Sequence, residues 1–402
     1  MPQEDPVLVG FDRLIKKHEP LYSEPWTFGI NSLDGAFSAL SLDQVRAHKK
    51  LLDWMHRSLL PRLNEQIRTL AILLLPSDYW KNPKETRKLI LQVQSELDNT
   101  TDAIKSIITS ICPTSTGLAQ ERTDDQHLKG LKSFRLQLLK PRIHNDLLYH
   151  INKVFSLAHE LFQQIKLAPD AVKPDKFDGC SYRNDFIKDA WITFRGIDLT
   201  IKFMESSELD LAQEQWVFQF AQLDKTIRGI VRTANQLQSK QINNPKNLQV
   251  RKAAELARIA IPMTKLIKMF FIKISKEGIN QRRFPTYTKM SSQQIQSLTH
   301  SLDTSGEDLL ALQSLLSRIG GSGFGAANSR EAMQIANNLK SRAETTLSLV
   351  LLYCVPLIKN TDGFESREYY KTWFDTWSAA FDLATRNFKS LAKYSTSLYD
   401  LD

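Results

Sequence analysis

The sequence predicts an all-α fold, arranged as two antiparallel bundles of long amphipathic helices. Apolar residues recur at steps of three and four over long segments, which is the period of a helix. The 402 residues include only fifteen glycines and fifteen prolines, few for a chain of strands and tight turns. No segment alternates polar and apolar residues over the length of a strand, so no sheet is expected.

The N-terminal part is expected to be a loosely structured segment, residues 1–40, followed by a first bundle at 41–166. Within the loose segment, a short helical pattern covers only 7–17. Ser41 can cap the next helix, because its hydroxyl accepts a hydrogen bond from a free backbone N–H. Pro61 lies inside that helical pattern and should kink or divide it. Two further helical patterns follow, at 83–111 and 125–166.

The clearest linker pattern is residues 167–182, which contain two prolines and one glycine. We therefore expect a domain boundary there, with a second bundle at 183–402. A break is expected at Thr304-Ser305-Gly306 in one helix of this bundle, and a flexible connector at 320–329. The predicted helices of the second bundle lie near 183–204, 208–239, 247–277, 291–319, 330–355 and 365–393.

The C-terminal helix is rich in aromatic residues. Seven apolar side chains form one continuous stripe along it, and core packing is the expected role of this stripe. An exposed stripe of this size would instead require a partner. The stripe consists of Tyr370, Trp373, Phe374, Trp377, Phe381, Ala384 and Phe388.

Positive charge is concentrated in residues 225–289. This segment contains fifteen Lys or Arg residues and two acids, a balance of +13 in a chain whose net charge is +9. A strongly basic helical face predicts an acidic partner, although a solvated face that keeps the protein in solution is an alternative explanation. The residues predicted to form this face are Arg251, Arg258, Lys265, Lys268, Lys276, Arg282 and Arg283.

No motif in the sequence indicates catalysis, a cofactor or a metal. The GGSGFG stretch at 320–325 lacks the strand–loop–helix context of a phosphate-binding loop. The eight histidines have no HExxH or similar ligand spacing, and no GxSxG elbow is present. Cys112, Cys180 and Cys354 are odd in number and far apart, which favours a reducing intracellular compartment.

Five stretches of the sequence are distinctive: DDQHLKGLKSFR at 124–135, IPMTKLIKMFFIKIS at 261–275 and YYKTWFDTWSAAFDLATRNF at 369–388, together with 89–113 and 349–364. They resemble an expanded family of uncharacterised all-helical proteins from rust fungi. This resemblance implies an all-helical fold and no assigned catalytic residue, cofactor or substrate. The two-bundle layout is also similar to cyclin-D1-binding-protein-like helical adaptors, in architecture alone.

These observations predict a non-catalytic interaction or adaptor module that binds another protein. The alternative is direct binding of nucleic acid or an acidic lipid surface by the helices at 225–289. A third hypothesis is an enzyme whose site is assembled from distant residues.

No apolar run is long enough to span a membrane and no signal peptide is found, so an intracellular location, in cytoplasm or nucleus, is expected. The oligomeric state and the partner's identity stay open.

Overall fold

The fold is taken from a computed structural model, which describes residues 5–19, 41–75, 79, 81–112, 124–167, 180–214, 216–244, 247–281, 284–322, 324–358 and 366–394. Helices form all the regular secondary structure in these ranges, which confirms the all-α prediction. The chain divides into two units, residues 1–206 and 207–402. Among the described residues, none of the helices combines the length and the apolar character needed to cross a membrane.

The first unit, unit 1, contains seven α-helices in its described residues. They are α1 (Pro6–Lys17), α2 (Leu42–Trp54), α3 (Leu60–Leu73), α4 (Pro83–Ile111), α5 (Ser133–Pro141), α6 (Leu148–Leu167) and α7 (Cys180–Glu205). The second unit, unit 2, contains six in its described residues. They are α8 (Glu208–Ala212), α9 (Trp216–Asn243), α10 (Leu248–Ile274), α11 (Ser292–Ser322), α12 (Ala326–Leu349) and α13 (Ser366–Tyr394).

Helix α1 confirms the short helix expected at 7–17. It belongs to the core of unit 1, so the expectation of a loose segment is wrong for residues 6–17. The helix packs against α4 and α6, and Val7, Phe11 and Leu14 are fully buried. Asp5 starts it by accepting a hydrogen bond from the Val7 backbone N–H at 3.0 Å. The rest of the predicted loose segment, 20–40, lies outside the described residues.

The chain divides into its two units after residue 206, and not in the predicted linker at 167–182. Helix α7, assigned from the sequence to the second bundle, packs on α3 and α6 of unit 1. Its buried side chains, among them Phe186 and Ile197, fill the core of that unit. Residues 168–179 of the predicted linker lie outside the described part of the chain.

Prolines mark the places where helices change register. Three π-helical turns, Met55–Leu59, Arg142–Leu147 and Val350–Cys354, each lie within two residues of a proline. Pro61 thus divides its helix as predicted, because a residue without an N–H cannot complete the regular ladder and one widened turn absorbs the mismatch. Helix α10 continues through Pro262, and α11 continues through Gly306, so the predicted break at Gly306 is wrong.

Five long helices close a ring in unit 2. Helix α9 packs on α10 and α11, α12 packs on α11 and α13, and α13 packs back on α10. Trp377 of α13 stacks on Phe270 of α10 with ring centroids 4.5 Å apart, and on Phe381 at 5.1 Å. Five members of the predicted aromatic stripe are buried, which confirms its role in the core, whereas Tyr370 and Trp373 are half-buried.

The connector predicted at 320–329 is mostly helical. Helix α11 runs to Ser322 and α12 begins at Ala326, while Gly323 lies outside the described residues. Phe324, between the two helices, is buried. A buried aromatic side chain fixes this turn to the core, so the prediction of a flexible linker is wrong for the described part.

The short helix α8 positions the chain that follows α10. The Glu208 carboxylate is fully buried and accepts hydrogen bonds from the Thr288 backbone N–H at 2.8 Å and from its hydroxyl at 2.6 Å. Gln213 donates to the Ile274 carbonyl at 2.7 Å, and Asn280 donates to the Gln213 amide oxygen at 3.0 Å. Buried polar groups need hydrogen-bond partners. These hydrogen bonds therefore hold the end of α10 and the segment that follows it in place.

Candidate partner-binding face

Helix α10 buries one side and presents cations on the other. Asn247 caps its start by accepting from the Gln249 N–H at 3.0 Å and the Val250 N–H at 3.1 Å. Ala253, Ala260 and Ile267, seven residues apart, are fully buried. Arg251, Arg258 and Lys265 repeat at the same interval and are exposed, because seven residues make almost two full turns. These three cations therefore lie in one row on the outer side of α10.

Helix α9 lies beside α10 and adds two cations to the same outer surface. Arg228 and Arg232 are exposed, whereas Leu223 and Ile230 on the opposite side of α9 are buried. Because α9 and α10 are neighbours and bury their apolar sides in one core, their exposed sides form one surface. We call this surface the basic face and define it as Arg228, Arg232, Arg251, Arg258 and Lys265.

The remaining predicted cations are placed differently. Lys268 is half-buried and pairs with Asp224 of α9 at 2.7 Å, so most of its charge is neutralised within the unit. Lys276 is exposed in the turn that follows α10. Arg282 and Arg283 lie outside the described residues. Three of the seven predicted residues are thus brought into one row, and no ion pair is found for these three in the described part of the chain.

An apolar groove lies between α10 and α13, and its lining includes Trp373 and Trp377 of the predicted aromatic stripe. Its volume is about 400 Å³, and its lining contains no acidic residue among those described. Met269, on the α10 side of the groove, is 50 % exposed. The groove is lined by Leu266, Met269, Tyr369, Thr372, Trp373, Thr376, Trp377 and Ala380.

Small side chains create this groove. Thr376 and Ala380 lie one turn apart on α13, where they are exposed and line the groove next to the large Trp373 and Trp377. The small residues leave space between the two helices that the indole rings do not fill. This spacing is visible in the sequence, but only the packing partner tells whether the space is filled.

Lys273 lies against two residues of the groove lining, Tyr369 and Trp373, at the Tyr369 end of α13. Its ammonium lies 4.5 Å from the ring centre of Tyr369, 4.9 Å from Tyr370 and 5.1 Å from Trp373, and it donates to the Tyr369 hydroxyl at 2.8 Å. Three rings around one ammonium give a strong cation–π contact. This lysine is thereby held in place and gives the groove a fixed positive end.

Unit 1 contains a cluster of ionisable groups that could be taken for a metal centre. The ligand atoms of His18, Asp98 and Asp102 lie within 4.8 Å of one another. However, the Lys17 ammonium contacts both carboxylates, at 2.7 Å from Asp98 and at close range from Asp102. It fills the space that a divalent cation would need. The arrangement therefore fits an ion-paired network that fastens α1 to α4 better than a metal site.

The pKa directions in this cluster agree with a structural role. Burial lowers the pKa of His18, although its hydrogen bond to Asp98 at 3.0 Å opposes that shift. Burial alone would raise the pKa of Asp98, but hydrogen bonds from Lys17 and His18 outweigh it and hold that pKa below its ordinary value. The cluster is thus arranged around a neutral imidazole and an ionised carboxylate.

The two described cysteine side chains are not reactive thiols. Burial raises the pKa of Cys112 to about 12 and that of Cys354 to about 12. A thiol, rather than the nucleophilic thiolate, is then present at neutral pH. Neither cysteine is bonded to another.

Two families match the chain in succession. Residues 48–205 match a family described as a domain of unknown function (DUF8723), and residues 207–390 match a second one, also described as a domain of unknown function (DUF8721). Neither the comparison with curated proteins nor the comparison with solved structures found a match. The junction between the two family matches coincides with the division of the structure at residue 206. In sequence, the chain is therefore similar to two adjoining domains of unknown function.

Proposed function

We propose that the chain is a non-catalytic interaction module whose basic face binds an acidic surface of another protein. The observation that carries this proposal is the row formed by Arg251, Arg258 and Lys265, exposed at equal intervals along α10. A complementary acidic partner would be steered toward such a row and oriented by it. The buried side of α10 is part of the core, so the helix backbone that carries these three cations is held in place.

A protein partner is favoured over nucleic acid by the apolar residues among the cations. Pro262 and Met269 are exposed on the same side of α10 as Arg258 and Lys265, at steps of four residues. Protein interfaces combine apolar contacts with arginine and methionine in this way. Binding of nucleic acid by cations alone would leave these apolar contacts unused.

Charge reversal on α10 tests the proposal. Arg258→Glu combined with Lys265→Glu should reduce capture of a partner protein from nuclease-treated extract of the source cells at least tenfold. The matched control is Arg330→Glu combined with Arg386→Glu, which changes the net charge equally at exposed sites of α12 and α13. Equal capture by both double variants would contradict the proposal. Bound material that is recovered only when the nuclease is omitted, or that consists of lipid, would point to the alternative partners.

A further inference from the structure

We infer that the groove between α10 and α13 takes one amphipathic acidic helix from the protein partner. The apolar side of that helix would enter the groove, and its acidic flank would face the basic face. This inference rests on the proposed function, since it names the kind of segment that the basic face would bind. It is argued from the shape of the groove, from its chemistry and from the charges beside it.

The length of the groove fits a short helix. Its α13 wall runs from Tyr369 to Ala380, which is about 16 Å at a rise of 1.5 Å per residue. That is about three helical turns of a partner. Helix-in-groove complexes place apolar anchors at steps of three, four and seven residues, and three turns can offer three or four such anchors.

The chemistry of the groove fits apolar anchors. Leu266 and Met269 form one wall, and Trp373 and Trp377 belong to the other. The Trp377 indole is buried, and its N–H donates to the Leu266 carbonyl at 2.8 Å, so this ring leaves no unpaired donor in the wall of the groove. Burial of leucine or phenylalanine side chains against these rings would release apolar surface from water, which favours binding.

The charges beside the groove select an acidic helix. On α10, Lys265 precedes Leu266 and lies one turn from Met269, so it borders the groove on the side of the basic face. Lys273 marks one end within its aromatic cage. None of the three acids of α13 belongs to the lining of the groove. Asp382 pairs with Lys340 of α12 at 2.8 Å, Glu368 lies 3.8 Å from Lys371, and Asp375 is exposed. The flank of the groove is therefore cationic without a compensating acid in its lining.

A displayed peptide library tests the kind of segment that binds. The probe is a phage library of 14-residue peptides on an alanine-rich helical background, randomised at the apolar positions and along one flank, and selected on the full chain. We expect enriched peptides with leucine, methionine or phenylalanine at steps of three, four and seven, and with glutamate or aspartate on the flank. An absence of enrichment, or enrichment of peptides without acids, would overturn the inference.

Filling the groove tests where the segment binds. Thr376→Trp places an indole in the groove at an exposed position and should weaken the selected peptides at least tenfold, as read by fluorescence anisotropy. Thr345→Trp on α12 is a matched control. Thr345 is also exposed, and its hydroxyl donates to the carbonyl four residues earlier at 2.9 Å, as that of Thr376 does at 2.8 Å. Peptides that bind both tryptophan variants equally would overturn the inference.

The two proposals can fail separately. If Thr376→Trp leaves capture of the partner protein unchanged while charge reversal at Arg258 and Lys265 abolishes it, the groove inference is wrong and the basic face still binds. If neither change affects capture, both are wrong. Thermal unfolding of Thr376→Trp, followed by circular dichroism, distinguishes a loss of binding from a loss of folding.

Discussion

At the scale of single residues, two glycines show when the absence of a side chain matters. A Cβ atom at Gly278 would lie 1.9 Å from the backbone carbonyl oxygen of Lys273, which cannot move without disturbing the end of α10. A Cβ at Gly306, inside α11, would meet nothing within 4 Å. The same substitution should therefore have opposite effects at the two positions.

We predict that Gly278→Ala lowers the free energy of unfolding by about 2–4 kcal/mol, since the backbone near Lys273 must shift. Gly306→Ala should instead raise it, by up to about 1 kcal/mol, because alanine is the better helix former. Urea denaturation of both variants checks this. Equal effects of the two substitutions on the free energy of unfolding would contradict the close approach of the Lys273 carbonyl oxygen to Gly278.

His18 gives unit 1 a dependence on pH. Its ring is buried, Nε2 lies 3.0 Å from Asp98, and Nδ1 has no hydrogen-bond partner among the described residues. Protonation would add an N–H at Nδ1 without an acceptor there. Burial lowers the folded-state pKa of His18 below the ordinary value of 6.5. The stabilising contribution of the neutral His18 ring is therefore present above pH 6.5 and is lost as the pH falls through the lowered pKa.

We therefore predict that the free energy of unfolding of the full chain falls between pH 7.5 and pH 5. His18→Gln should weaken this dependence without removing it, since burial also lowers the pKa of His48 and His144. Chemical denaturation at several pH values, monitored by circular dichroism, is the measurement. His127→Gln replaces an exposed histidine and serves as the control. An identical pH dependence for the wild type and His18→Gln would show that another group titrates.

At the scale of elements, helix α1 depends on contacts that local sequence does not reveal. Its pattern is short, and the stretch after it is rich in Pro, Gly and Ser, which led to the expectation of a loose segment. In the structure, Phe11 is fully buried and Gln94 of α4 donates to the Val7 carbonyl at 2.9 Å. Twelve residues can be stable in this way because tertiary packing, rather than helix propensity, supplies most of the stability of a short helix.

We predict that Phe11→Ala destabilises unit 1 by about 3–5 kcal/mol, the usual cost of removing a buried aromatic side chain. Leu42→Ala, at a residue that is 76 % exposed, should change stability by less than about 0.5 kcal/mol. Thermal and urea unfolding of both variants compares them. A small effect of Phe11→Ala would show that α1 is not part of the core.

The sequence predicted helices well because their periodicity is local. The cap at Ser41 and the row at Arg251, Arg258 and Lys265 follow from residues within a few turns of one another. The groove and the pairing of Lys268 with Asp224 depend on which helices become neighbours. Neighbours are set by the closure of the ring in unit 2, and periodicity contains no information about that closure.

At the scale of the whole molecule, the placement of α7 decides where the chain divides. The linker pattern at 167–182 is a real change in composition, yet α7 follows it and packs on α6. A linker between two helices of one bundle and a linker between domains have the same composition. Only the burial of Phe186 and Ile197 distinguishes the two cases.

We predict that residues 1–206 and 207–402, produced separately, each unfold cooperatively with native helical content. A fragment that ends at residue 174, inside the predicted linker, should lack the α7 contribution to the core and lose this cooperativity. Circular dichroism during thermal unfolding of the three fragments makes the comparison. Cooperative unfolding of the fragment that ends at residue 174 would contradict the division at residue 206.

The central claim is that the outer side of α10 contacts a macromolecular partner. The most direct measurement is photo-crosslinking in extract of the source cells, with a photoreactive amino acid at Met269, beside the basic face. Leu352, which is 65 % exposed, is the control position in the same unit. The claim predicts one defined protein adduct at Met269 that is absent at Leu352 and is lost on charge reversal at Arg258 and Lys265. The same adducts at both positions, or none at Met269, would contradict it.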